Sequence, residues 1–325
     1  MNHHHREHAR SPNVNLAIVA EGGGQRTIYA AGILDAFQFA EFNPFDLGIG
    51  ASGGAQNLLS YFLELPGYAH KAIAELTMQP DFFVPYRRLR KQNVIDLDAY
   101  FERTHSDPLY QLPYQDVDRL LRKKELEFVA TDSESLVPRY LVPSCETASE
   151  YLKASSAVPL LYHSGVEIDG RILIDGGVSD PLPVRRAWQR GARRIVVIRS
   201  VPETTTRTSW QQLYESPRLK RALPEKFTRM LEVHDKAYQA ALAFIAEPPA
   251  GVEIRQIAPA TSLASKAFGS RSLEIQADYG IGLRDGMMSL MPGPDSLRKW
   301  LGKPRSRERF GSPARDDQAT SSTAH

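Results

Sequence analysis

Cysteine is all but missing from this chain: Cys145 stands alone among 325 residues. That excludes an internal disulfide and fits a reducing compartment. The residue itself reads as a small half-buried side chain rather than a reactive thiol. No apolar run is long enough to span a bilayer, and the opening Met1-Asn2-His3-His4-His5-Arg6-Glu7-His8 lacks the apolar centre of a secretory signal. The expectation is a soluble, cytoplasmic protein. Neither sign of charge is in excess, with 40 basic against 38 acidic residues, so nothing in the charge balance calls for nucleic acid. Internal repeats are absent. Hydrophobic residues make up 42% of the chain, enough for a large core. One domain over residues 13–302 is expected, preceded by a disordered leader over 1–12 and followed by a disordered tail, rich in Arg, Ser, Asp and Pro, over 303–325.

What the chain does contain is two glycine-rich turns, each following an apolar, strand-like run. Residues 14–20 read as a buried strand ending at Glu21-Gly22-Gly23-Gly24-Gln25-Arg26. Ala30, Ile33, Leu34 and Phe37 then recur at helical spacing until Asn43-Pro44 breaks it. Residues 45–49 form a second apolar run, which stops at Gly50-Ala51-Ser52-Gly53-Gly54 before a helix over 57–63. Strand, glycine turn, helix, repeated, argues for an α/β fold with a mostly parallel central sheet flanked by helices, and for a site at the carboxyl ends of the strands. Further strands are predicted at 126–131, 139–142, 171–174, 194–198 and 252–257, and helices at 150–156, 225–246 and 273–290. A hairpin is predicted around Asp169-Gly170. Residues 81–91 mix aromatics with Arg87, Arg88, Arg90 and Lys91 beside two prolines. Two readings stand for them: a contact with a lipid surface, and the commoner one of a solvated basic loop with its aromatics tucked into the core.

Ser52 matches the G-x-S-x-G pattern, in which small neighbours tolerate the sharp turn that lifts a nucleophilic hydroxyl from a sheet. Acyl transfer also needs a base within reach and donors for the developing oxyanion. Gly22, Gly23 and Gly24 can present backbone N–H groups without side chains in the way, and their spacing lacks both the G-x-G-x-x-G and the Walker signatures of a nucleotide loop. Nine histidines are present, yet few are well placed to serve as base. His234 falls on the apolar face of a long helix, and His163 in a turn. Asp175 ends an apolar strand and runs into Gly176-Gly177, where a functional carboxylate would be presented, and it is the expected base. Arg26, at a helix start, is expected to hold the loop through carbonyl hydrogen bonds, with attraction of an anionic head group as the alternative.

These residues resemble the patatin-like phospholipases, especially their small bacterial single-domain members. Gly22-Gly23-Gly24-Gln25-Arg26-Thr27 is similar to the family's G-G-G-x-[KR]-G, Gly50-Ala51-Ser52-Gly53-Gly54 to its nucleophile elbow, and Asp175-Gly176-Gly177 to its D-G-[GA]. The segment Ala154-Ser155-Ser156-Ala157-Val158-Pro159 also looks like a recurrent family stretch. The resemblance implies a three-layer sandwich and a Ser52–Asp175 dyad without histidine. It further implies an oxyanion hole from Gly22, Gly23, Gly24 and Gly53, a lipid or acyl-ester substrate, peripheral membrane contact, and neither cofactor nor metal. Thr27 departs from the motif's final glycine, and its β-branch restricts the backbone there. Two other functions compete. An α/β-hydrolase esterase with a Ser-His-Asp triad is disfavoured because only two strands precede Ser52. A lipid-binding module without turnover is disfavoured because Ser52 and Asp175 are both intact.

Overall fold

The computed structural model describes residues 14–90, 92–206 and 224–301. The leader and tail expected at 1–12 and 303–325 lie outside the described residues. Among the described residues the strands are β1 (Leu16–Ala20), β2 (Leu47–Ala51), β3 (Glu125–Asp132), β4 (Pro138–Leu141), β5 (Val166–Ile168), β6 (Arg171–Asp175), β7 (Arg194–Ile198) and β8 (Glu253–Ile257). The helices are α1 (Ile28–Phe39), α2 (Gly53–Phe62), α3 (Tyr68–Lys71), α4 (Leu97–Ser106), α5 (Val117–Leu121), α6 (Ala148–Ser155), α7 (Val184–Arg190), α8 (Glu225–Ala246), α9 (Ser272–Leu290) and α10 (Leu297–Leu301).

Five strands, in the order β3-β2-β1-β7-β8, are parallel, while β4 and β6 pair antiparallel with β3 and β5 pairs antiparallel with β6. Apolar residues fill both faces, as a parallel sheet covered by helices requires. Along β1, Leu16, Ile18 and Ala20 join the core under α1 and α2, whereas Ala17 and Val19 join the one under α7 and α8, which contribute Val184, Ala187, Tyr238 and Phe244. The result is the expected α/β sandwich of three layers. Asp169 and Gly170 both take positive φ, 51° and 72°, as a two-residue hairpin turn between β5 and β6 demands.

One register decides where the site forms. β2 and β4 both pair with Phe128 and Val129, so they lie on opposite edges of β3; β4 and β6 both pair with Ala130 and Thr131, so they do too. β6 therefore shares an edge of β3 with β2. β2 runs up that edge and ends at Ala51 opposite Val129, while β6 runs down it and ends at Asp175 opposite Ala130. Two strands meet end to end, and the residues at their junction are Ser52 and Asp175.

No described helix is long and apolar enough to cross a membrane.

Candidate active site

Ser52 caps the N-terminus of α2 with φ 54° and ψ −130°, a conformation that L-residues rarely adopt. Its backbone is held from both sides. The N–H donates to Ser155 Oγ at 2.9 Å, Ser155 in turn donates to the Val129 carbonyl at 2.5 Å, and the Ser52 carbonyl accepts from Ala55 N–H at 3.0 Å. The Ser52 hydroxyl lies close enough to the Asp175 carboxylate to favour its charged form. Both residues are 7% exposed. Burial pushes the Asp175 carboxyl up to about 6, although the Ser52 hydroxyl and the hydrogen bond from Gly177 N–H (2.7 Å) pull the other way. Desolvation thus gives this carboxylate the proton affinity a base toward serine needs. Its backbone N–H donates to the Ala157 carbonyl at 3.0 Å, and Thr131 Oγ1 donates to its carbonyl at 2.8 Å.

The glycine turn lies over this pair. A Cβ on Gly22 would stand 3.2 Å from Ser52 Cβ. Among the described residues no acceptor takes the backbone N–H of Gly22, Gly23 or Gly53. At Gly24, φ is +58° and a Cβ would meet the Ala267 carbonyl oxygen at 2.2 Å, so only glycine fits. Thr27, the departure from the motif, turns out to be a tie. Its Oγ1 donates to the Gly24 carbonyl at 2.7 Å, its carbonyl accepts from Asn57 Nδ2 at 2.8 Å, and its side chain occupies the space that a Cβ on Gly53 would need. The turn is closed by the very side chain that replaces the expected glycine.

Arg26 makes no hydrogen bond to a loop carbonyl among the described residues. Its Nε is buried without a partner, and its guanidinium lies within electrostatic range of Glu21 beside the site. Glu21 is buried; desolvation raises its affinity for protons against the Ser200 N–H bond (2.5 Å) and the charges of Arg199 and Arg26. His234 faces the same cleft, but Nδ1 is engaged by the Gly177 carbonyl at 2.5 Å, and burial lowers its pKa, leaving a neutral ring. His163 is exposed and lines neither cleft described below. Among the described residues no group of three or more His, Cys, Asp or Glu could hold a metal ion.

Two clefts open from Ser52. One, of about 740 Å³, is lined by Ile73, Phe82, Leu97, Tyr100, Phe101 and Leu152 among others. The other, of about 760 Å³, runs past the glycine turn and Asp175 to Phe227, Met230 and Leu231 of α8. Gly24, Ser52, Val158 and Phe268 line both. Phe268 belongs to the connection between β8 and α9, which is strapped over the glycine turn: Gln25 N–H donates to the Ala267 carbonyl (2.8 Å), Ser270 N–H donates to Gln25 Oε1 (2.9 Å), and Asp278 accepts from the N–H groups of Ala264 (3.2 Å) and Ser265 (2.7 Å). Sequence reasoning missed this strap and the role of Ser155. The signal for Ser155 was the Ala154–Pro159 stretch; the strap carries no motif.

The fold sets a strained serine beside a buried aspartate beneath a glycine turn, and comparison shows the family to which the chain belongs. It belongs to the patatin-like phospholipase family, whose pattern matches residues 18–188. Residues 225–294 match a domain of unknown function, DUF6363. The uncharacterized protein YjjU of Escherichia coli (strain K12) is 39% identical over 279 residues, spanning 82% of this chain and 74% of that protein. VipD from Legionella pneumophila, known from a crystal structure, aligns at 14% identity with a TM-score of 0.40, over 86% of this chain and 67% of its own. The 225–294 segment is built into the fold: β8 pairs with β7, and α9 packs along α1.

Proposed function

We propose that this protein is a serine acyl-ester hydrolase acting on lipids, of phospholipase A or lysophospholipase type, working in the cytoplasm and at membranes peripherally, with Ser52 and Asp175 as its catalytic dyad. The observation that carries the reading is the placing of a strained serine beside a desolvated carboxylate where β2 and β6 meet end to end. In acylation Ser52 Oγ attacks the ester carbonyl carbon while its proton passes to Asp175. The carbonyl oxygen, now an oxyanion, accepts hydrogen bonds from the glycine turn and from Gly53 N–H at the N-terminus of α2, where the helix dipole adds positive potential. Each such donor contributes about 3 to 4 kcal/mol. Collapse expels the alcohol, which leaves with the proton that Asp175 held. Asp175 then takes a proton from water, hydroxide attacks the acyl-serine, and the same proton returns to Ser52 as the carboxylic acid departs.

An acyl chain fits the cleft of aromatic and aliphatic side chains, and the cleft beyond the glycine turn receives the leaving group. His234 supports the wall through Gly177 and takes no proton.

The test is hydrolysis of a short-chain nitrophenyl ester. Ser52→Ala and Asp175→Asn each lower kcat by at least about 10³-fold, whereas His234→Ala retains the major part of it. Full turnover in Asp175→Asn would sink the dyad.

A further inference from the structure

Between the cleft and solvent, residues 83–95 make an excursion whose base is pinned and whose tip is bare. At the base Phe83 and Ile95 form an isolated antiparallel bridge, and Val94 N–H donates to the Leu161 carbonyl at 2.7 Å. Phe82 and Ile95 line the apolar cleft, and Phe83 stacks on Phe268 with ring centroids 5.6 Å apart. The tip is a short 3-10 helix, Pro85–Arg90, with no buried residue. Side chains three apart eclipse on such a helix, so Tyr86 and Leu89 share one face; they are 65% and 89% exposed. Arg87 is tied down by Asp96 (3.4 Å) and the Asp81 carbonyl (3.2 Å), while Arg88 and Arg90 are exposed and have no acidic partner among the described residues. Beyond the Phe83–Phe268 stack, Lys266 is exposed and Leu273, at the start of α9, is 83% exposed.

We infer that this tip, Tyr86, Arg88, Leu89 and Arg90, together with Lys266 and Leu273 of the segment whose Phe268 stacks on Phe83 at its base, docks the mouth of the apolar cleft onto an anionic lipid surface; the inference rests on the lipid hydrolase reading. Size and chemistry choose the occupant. Six residues of 3-10 helix span about 12 Å, far too little for a protein interface of about 1,000 Å² but enough to seat one aromatic and one aliphatic side chain among head groups. Free arginines flanking them match a surface of negative charge, and an interfacial tyrosine suits the head-group layer. Because Phe82 and Ile95 at the base form the cleft wall, a chain leaving the bilayer at the tip enters the cleft directly.

The experiment is sedimentation of the full chain with phosphatidylcholine vesicles, with and without phosphatidylglycerol, alongside hydrolysis of a soluble short-chain ester. The wild type binds the anionic vesicles and binds the neutral ones more weakly. Arg88→Gln with Arg90→Gln weakens anionic binding about 25-fold, at about fivefold per arginine near the surface. Leu89→Glu weakens binding to both compositions. Neither variant changes soluble-ester turnover. Variants that sediment as the wild type overturn the docking surface, as does a wild type that hydrolyses the ester but ignores both kinds of vesicle. A change in self-association on size exclusion, without a change in vesicle binding, would assign the face to a second copy and overturn it too. Vesicle binding without ester turnover would instead strike at the hydrolase reading.

Discussion

At Ser52 the backbone holds a φ of 54° because three hydrogen bonds and the junction of two strands leave it no alternative. Strain of this kind costs about 1 to 3 kcal/mol, and glycine alone escapes it. Ser52→Gly is therefore expected to be more stable than Ser52→Ala by about 1 kcal/mol or more in denaturant titration, with both inactive; equal stability would mean the turn stores no strain. Asp175 carries a second cost. Its carboxyl is raised from 3.8 to about 6, so the folded chain binds that proton more tightly than the unfolded one. Its contribution to stability is whole below about pH 4 and is lost as pH rises through about 6, some 3 kcal/mol in order of magnitude. Asp175→Asn, which cannot ionise, should then unfold at higher denaturant than the wild type at pH 7, and the advantage should vanish near pH 4. The same titration governs activity with the opposite sign. The base must be ionised, so kcat/KM rises with pH through about 6 and levels off above it.

Among the elements, the strap between β8 and α9 and the packing of α9 on α1 make the clearest demands. Phe268 lines both clefts, so Phe268→Ala joins them and removes a ring from the acyl wall. Turnover of long-chain nitrophenyl esters should fall about tenfold relative to short-chain ones, measured as a ratio of kcat/KM values, since Phe268 is half-buried and full burial of a phenylalanine contributes about 1.5 to 3 kcal/mol. On α9, a Cβ at Gly282 would stand 2.1 Å from the Tyr29 carbonyl oxygen, so Gly282→Leu should cost about 3 kcal/mol or more in denaturant stability. Most of these elements were legible in the sequence. Helical spacing placed α8 and α9, and apolar runs closed by glycine placed β1, β2 and β6. What escaped was the stretch between α2 and β3, mostly short helical turns that hold too few residues for a period to emerge, together with the ten-residue α4, whose buried Leu97, Tyr100, Phe101 and Thr104 do keep helical spacing. The seven residues of α7 escaped for the same reason. The sequence also singled out Ser52 and Asp175 but not why they meet, because the sharing of one edge of β3 by β2 and β6 is a matter of register between distant strands. Arg26 shows the limit on single residues: its position at a helix start suggested carbonyl bonds, yet the carbonyl at its loop, Gly24, is taken by Thr27.

For the whole molecule, one sheet organises everything: the matched hydrolase segment supplies the serine, the aspartate and the glycine turn, and the 225–294 segment closes the site from above. The basic tip and the strap meet at the Phe83–Phe268 stack beside the apolar cleft. All of this rests on Ser52 being a nucleophile activated by Asp175. The most direct measurement is labelling of the full chain with a fluorophosphonate probe, with the adduct mapped by mass spectrometry across pH. The account predicts a single adduct on Ser52, a labelling rate that rises through about pH 6, and loss of labelling in Asp175→Asn but not in His234→Ala. An adduct on another residue, or labelling abolished by His234→Ala and retained in Asp175→Asn, would contradict it.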